Sequence, residues 1–187
     1  KRNIISFVGK LNHSKGFHLF GPVIVRILNK YKNWKGIVVG DEPREKYNFK
    51  HKKLKYLGWI PYEEVLKYFS KSSITVVPSN WEEPFGRTSL EAGSRGNAVI
   101  ISNRGGLPET INSPVILKDV NSINIYDQIV NLIKNKKFIS RLQNDSFKNP
   151  LHVISENCKI IDQDRKNIIY PIKKFNVNKN AKLKILH

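Results

Sequence analysis

Short aliphatic runs that stop at a glycine or proline recur along this chain of 187 residues, and a stretch with helical spacing follows most of them. Residues 4–8 close at Gly9, residues 34–39 at Gly40-Asp41, residues 54–57 at Gly58 and residues 74–77 at Pro78. Residues 98–102 and 115–117 complete the set. Runs this short and this continuously apolar suit strands buried on both faces. Between the first two, Phe17, Phe20, Val23, Ile24, Ile27, Leu28 and Tyr31 recur at steps of three and four. That spacing predicts a helix over 16–32, with Pro22 tolerable only in its first turns. Pro61 opens a helix to residue 70. Further helices are predicted over 88–95, 123–133 and 137–144, with another near 151–160. Strand and helix alternating through short turns predict an α/β fold. Its form is a Rossmann-like doubly wound parallel six-stranded sheet flanked by helices.

In such sheets ligands bind beyond the carboxyl ends of the strands. Gly9-Lys10, Gly58-Trp59 and Ser79-Asn80 all follow predicted strands. The richest segment is residues 78–93, Pro-Ser-Asn-Trp-Glu-Glu-Pro-Phe-Gly-Arg-Thr-Ser-Leu-Glu-Ala-Gly. Glu83 lies before a helix that Gly86 opens, and Glu91 lies about one turn inside it, so both can face one crevice. Free amides at a helix start attract anions and polar oxygens. Carboxylates beside them accept hydrogen bonds from hydroxyl groups. In residues 9–16, Gly9 permits a tight turn, Gly16 starts the first helix, and Lys10 and Lys15 can reach a diphosphate held there. The Asp41-Glu42 pair reads as an exposed loop. His13 and His18 read as surface residues, and no cluster of acids or histidines has metal spacing.

Taken together, Pro78-Ser79, Glu83-Pro84-Phe85-Gly86, Leu90-Glu91-Ala92, Gly96, Val99-Ile100 and Gly105-Gly106-Leu107-Pro108-Glu109 resemble the C-terminal, nucleotide-sugar-binding domain of retaining GT-B glycosyltransferases, family 4 (group 1). The resemblance runs over residues 4–142. It implies that Glu91 binds the ribose hydroxyls of a nucleotide-diphosphate sugar and that Glu83 sits near the transferred sugar. Phe85, Gly86 and Arg87 would offer backbone amides to the sugar or phosphate, with Leu90 beside them. Trp59 and Ile60 would lie along the base. Glu83, Lys10 and Lys15 are the candidate catalytic residues; Gly9 completes the donor-binding set. Lys10 stands where the family usually has Arg, which keeps the charge and loses the bidentate fork. Ala98 stands where the family often has Pro, and Gly93 where it often has a bulky apolar residue. The donor sugar is the expected ligand, with no cofactor or metal. The expected partner is an N-terminal acceptor-binding domain, without which transfer would be slight.

The formal charge is +18. Lys, Ile and Asn fill more than a third of the chain, a bias that places lysines on a surface without a specific task. A polyanion-binding module is the competing reading, either for an anionic membrane surface or for nucleic acid. The basic runs at 46–55 and beyond 163 would carry it. They lack interleaved aromatics, which argues against specific nucleic-acid binding. A sugar-nucleotide epimerase of the same fold is a further alternative. No run approaches a membrane span. The single Cys158 excludes an internal disulfide, is expected to be a small buried side chain, and fits a reducing, cytoplasmic setting, while the basic surface would allow peripheral contact to the inner membrane face. The first strand begins at once and no Met opens the chain, which suggests a fragment of a longer protein. The donor domain is expected over 1–162, then a basic tail over 163–187, with a linker at 175–180 and a new strand at 181–187.

Overall fold

The structure, a computed structural model, describes residues 1–148 and 154–172. The chain divides into two compact units, Lys1–Leu151 and His152–His187. The first unit holds strands β1 (Ile4–Val8), β2 (Lys35–Val39), β3 (Leu54–Tyr56), β4 (Ile74–Val77), β5 (Ala98–Ser102) and β6 (Val115–Leu117). Its helices are α1 (Phe17–Lys30), α2 (Tyr62–Lys71), α3 (Arg87–Ser94), α4 (Ser122–Lys134) and α5 (Lys136–Lys148). The strands form one sheet in the order β3-β2-β1-β4-β5-β6, and every neighbouring pair is parallel. The fold class read from the alternation is therefore the one observed.

Continuous apolar strands are needed because helices cover both faces. Ile5 and Phe7 of β1 join α1, α4 and α5 in one core with Phe17, Phe20, Ile24, Ile125 and Ile129. Ile4 packs on the opposite face with Val65 and Phe69 of α2, Ala92 of α3 and Ile101 of β5. Within the sheet, the buried hydroxyls of Ser6 and Thr75 satisfy each other at 2.8 Å across β1 and β4. Pro22 lies inside α1, one turn deeper than its first residues, and is exposed, so its ring meets solvent rather than the core. Asn121 caps α4 by accepting the Asn124 amide.

The strand order reverses between β1 and β4: from β1 the chain first builds outward to β2 and β3, then returns to the other side. Neighbouring loops there diverge and leave a crevice at the carboxyl edge. That edge receives residues 9–16 and 78–86.

The second unit is described through α6 (Ile154–Ile172) alone. The helix expected near 151–160 is described from Ile154 and runs to Ile172, into the basic tail expected from residue 163. Asp162 and Arg165 pair along it at 3.8 Å. Cys158 is exposed, contrary to the expectation of a buried side chain. The linker and strand expected beyond 175 lie outside the described residues. Among the described residues, no helix is long and apolar enough to cross a membrane.

Candidate functional site

The crevice between β1 and β4 is lined by Phe7, Val8, Gly9, Lys15, Val77, Ser79, Glu83, Gly86, Arg87 and Thr88. At its centre Lys15 Nζ pairs with Glu83 Oε1 at 2.5 Å, and the same oxygen accepts the Ser79 hydroxyl at 2.8 Å. The Glu83 side chain is 11% exposed and that of Lys15 32%, so the pair is shielded but open on one side. Backbone bonds fix the two loops that bring them together. The carbonyl of Ser14 accepts the amides of Asn80 at 2.8 Å and Trp81 at 3.2 Å, and the Ser79 hydroxyl at 3.1 Å. The Glu83 loop is held from the other side by the Gly105-Gly106 turn. Gly105 donates to Glu82 Oε2 at 2.6 Å and Gly106 to the Glu83 carbonyl at 2.7 Å. Gly105 has φ +53°, and a Cβ there would meet the Glu83 backbone, so only glycine lets the turn approach this closely.

Lys15 is positioned by its own loop. Asn12, buried, accepts the Lys15 amide and the Ser14 hydroxyl, each at 3.0 Å. Its Nδ2 faces Glu42 Oε2 at 3.5 Å. Glu42 is not the exposed loop residue the sequence suggested. Its side chain is 4% exposed and takes both Nε (2.7 Å) and Nη2 (2.9 Å) of Arg44. That fork holds the Glu42 carboxyl well down, to about 2, with the Lys10 charge adding to the effect. Only Asp41 of the pair is exposed. Glu45 ties the same two loops by accepting the His13 amide at 2.8 Å and the Tyr47 hydroxyl at 2.7 Å. The bond pushes the Tyr47 phenol up to about 12. His13 is on the surface as expected, but His18 is half-buried. The two rings stack at 4.0 Å, and burial first, then His13, lowers the His18 imidazole.

Gly86, at φ +94°, turns the chain into α3, and no side chain caps the first amides of that helix. They open on the same crevice through Arg87 and Thr88. Glu91 does not line it directly. Its carboxylate, 16% exposed, meets Arg87 Nη2 at 3.2 Å one turn along α3. Burial raises the Glu91 carboxyl above its ordinary range, with Arg87 opposing. Phe85 is partly exposed on the rim and Leu90 half-buried; neither lines the crevice.

A second hollow adjoins the first and shares Val8 and Gly9 with it. Lys10, Val39, Gly40, Asp41, Trp59, Ile60 and Val65 complete its walls. Trp59 is 81% exposed, which removes a core-packing role. The structure thus brings Gly9, Lys15, Glu83, Gly86 and Arg87 into one crevice, and Gly9, Lys10, Trp59 and Ile60 into its neighbour. Sequence reasoning left out Ser79 as a partner of Glu83, although the Pro-Ser step at a strand end marks it. It also left out Asn12, Glu42 and Arg44, whose shared role depends on contacts across thirty residues. Among the described residues, no group of three or more His, Cys, Asp or Glu could hold a metal ion.

The chain is 30% identical over 131 residues to an uncharacterised glycosyltransferase of Methanocaldococcus jannaschii, covering 66% of this chain and 32% of that protein. It is 27% identical over 152 residues to 2-deoxystreptamine N-acetyl-D-glucosaminyltransferase of Niallia circulans, covering 76% of this chain and 39% of that one. The chain thus spans well under half the length of these relatives. Among solved structures, the C-terminal domain of a group 1 glycosyl transferase from Francisella tularensis superposes with a TM-score of 0.69 at 25% identity. That match covers 78% of this chain and 82% of that domain. HepE of Anabaena, solved with UDP-glucose, shares the fold at a TM-score of 0.73 and 16% identity, over 89% of this chain and 49% of HepE. The family model for glycosyl transferases group 1 matches residues 1–149, and the chain belongs to that family.

Proposed function

We propose that this chain holds the nucleotide-diphosphate sugar of a retaining glycosyltransferase, with the diphosphate in the β1–β4 crevice and the nucleoside in the hollow beside Trp59. The observation that carries this reading is the Lys15–Glu83–Ser79 constellation beside the uncapped start of α3. Cleavage of the bond from the anomeric carbon to the diphosphate oxygen leaves negative charge on that oxygen. Lys15 and the first amides of α3 would meet it in the crevice, with Lys10 reaching across from the adjoining hollow, and Lys15 is already held by Glu83 before the reaction begins. Glu83 accepts hydroxyls of the transferred sugar, and Glu91 accepts those of the ribose. Each 1.36 kcal/mol gained only in the transition state is about tenfold in rate. Lys15 has three N–H donors and can serve Glu83 and a phosphate oxygen together. The fold relation to HepE, whose solved forms include complexes with UDP and with UDP-glucose, supports a uridine donor as the first to try. An acceptor-binding domain joined to this one would supply the second substrate and close the crevice.

The test is thermal unfolding of the chain with UDP, GDP and ADP and with their glucose conjugates. One nucleoside diphosphate is expected to raise Tm by several degrees at saturation. Lys15→Ala and Glu91→Ala should each abolish the shift while leaving the fold intact by circular dichroism. If no member of the panel protects the chain, the donor-site reading is lost.

A further inference from the structure

Two acid-free stretches, residues 22–40 and 46–62, lie side by side because β2 pairs with β3 at the edge of the sheet. Their lysines gather at the amino ends of those strands. Lys30 ends α1, Lys32 and Lys35 flank the turn into β2, Lys52 and Lys53 lead into β3, and Lys55 lies on it. All but Lys53 are exposed. The convergence is physical as well as sequential: Lys53 Nζ donates to the Lys32 carbonyl, and the Lys53 amide donates to His51 Nδ1 at 3.0 Å. His51 records the resulting field. Its imidazole is lowered by burial first and then by Lys32, Lys52 and Lys53.

We infer that this β2–β3 face docks on an anionic lipid surface. Lysines on an edge strand also discourage pairing with another sheet, but that need ends with the strand. Here the charge continues into α1 and both entry turns. The six side chains are all lysine, compact point charges on flexible stems, which suit a diffuse layer of headgroups. Arginine forks, which match individual phosphates, are absent from this set. Nucleic acid is the less favoured polyanion, since the rings among these lysines, Tyr31 and Trp34, are half-buried and buried and offer no run of stacking platforms. The face lies at the opposite end of the strands from the crevice between β1 and β4. Docking there leaves the donor mouth open to solution.

The test is co-sedimentation of the 187-residue chain with phosphatidylcholine vesicles, with and without about one-third phosphatidylglycerol. Binding is expected only to the anionic vesicles and should fall at least about tenfold as salt rises from low to physiological strength. Lys32→Glu/Lys53→Glu/Lys55→Glu should remove it. Lys134→Glu/Lys136→Glu/Lys137→Glu, the same charge change at the turn between α4 and α5, should retain most of it. Absence of vesicle binding at low salt overturns the inference. So does equal loss in the two triple variants, or binding to single-stranded nucleic acid without binding to vesicles. The salt series on the unaltered chain needs no variant to fold. The β2–β3 variant should keep its protection by nucleoside diphosphate, so this inference and the donor site fail separately.

Discussion

Glu91 pays for its charge with burial that its Arg87 partner only partly offsets. Burial raises its carboxyl, so the folded chain binds that proton more tightly than the unfolded chain does. The charged form therefore opposes folding at neutral pH, and the penalty is relieved only as pH falls below the folded value. Glu91→Gln should accordingly raise Tm of the unliganded chain slightly while removing protection by nucleoside diphosphate. A variant that loses both stability and binding would refute this account. Glu42 has the opposite sign. Its carboxyl is held near 2, far below the ordinary 4.5, so its bond to Arg44 stabilises the fold above about 4.5 and is lost as pH falls toward 2. Urea unfolding across that window should show a steeper acid loss in the unaltered chain than in Glu42→Gln; identical acid limbs would contradict it. The two acids also show what a linear reading sees. Glu83 was legible because it stands inside a dense local motif. Glu42 was not, because nothing in Gly-Asp-Glu-Pro-Arg announces that the second acid turns inward to Asn12, thirty residues earlier.

At the level of elements, α3 explains its own departures. Gly93 inside a helix ordinarily lowers helix preference by about 1 kcal/mol against Ala. Here a Cβ would lie 2.6 Å from Ile111 Cγ2, so the missing side chain is what lets α3 close on residue 111. Gly93→Ala should therefore destabilise the chain by about 1 kcal/mol net, overpacking outweighing the gain in propensity. Chemical denaturation measures the sign; a stabilised variant would show that Ile111 yields freely. Periodicity set the strands and helices of the first unit to within about two residues, except that α5 runs four residues past the end expected at 144. Beyond residue 163 the lysine-rich composition marked a basic tail and did not signal that α6 continues to Ile172.

For the molecule as a whole, alternation and short turns predict a doubly wound parallel sheet, and the structure supplies its order, β3-β2-β1-β4-β5-β6. The same order dictates that a ligand site lies between β1 and β4. What alternation could not supply is how firmly that edge is tied together. Gly9 donates to Val39, Gly40 to Gly58, Asn80 to Ser14 and Gly106 to Glu83, so backbone bonds link the ends of five neighbouring strands in one line along the edge that holds the two hollows. Main-chain bonds of this kind are indifferent to side-chain identity. Natural variation can therefore exchange the groups that choose a base or a sugar without loosening the frame that presents them. An inserted residue in any of these turns would instead break the bonds that tie it to its neighbours. Relatives with different donors should differ here by substitution and keep the loop lengths.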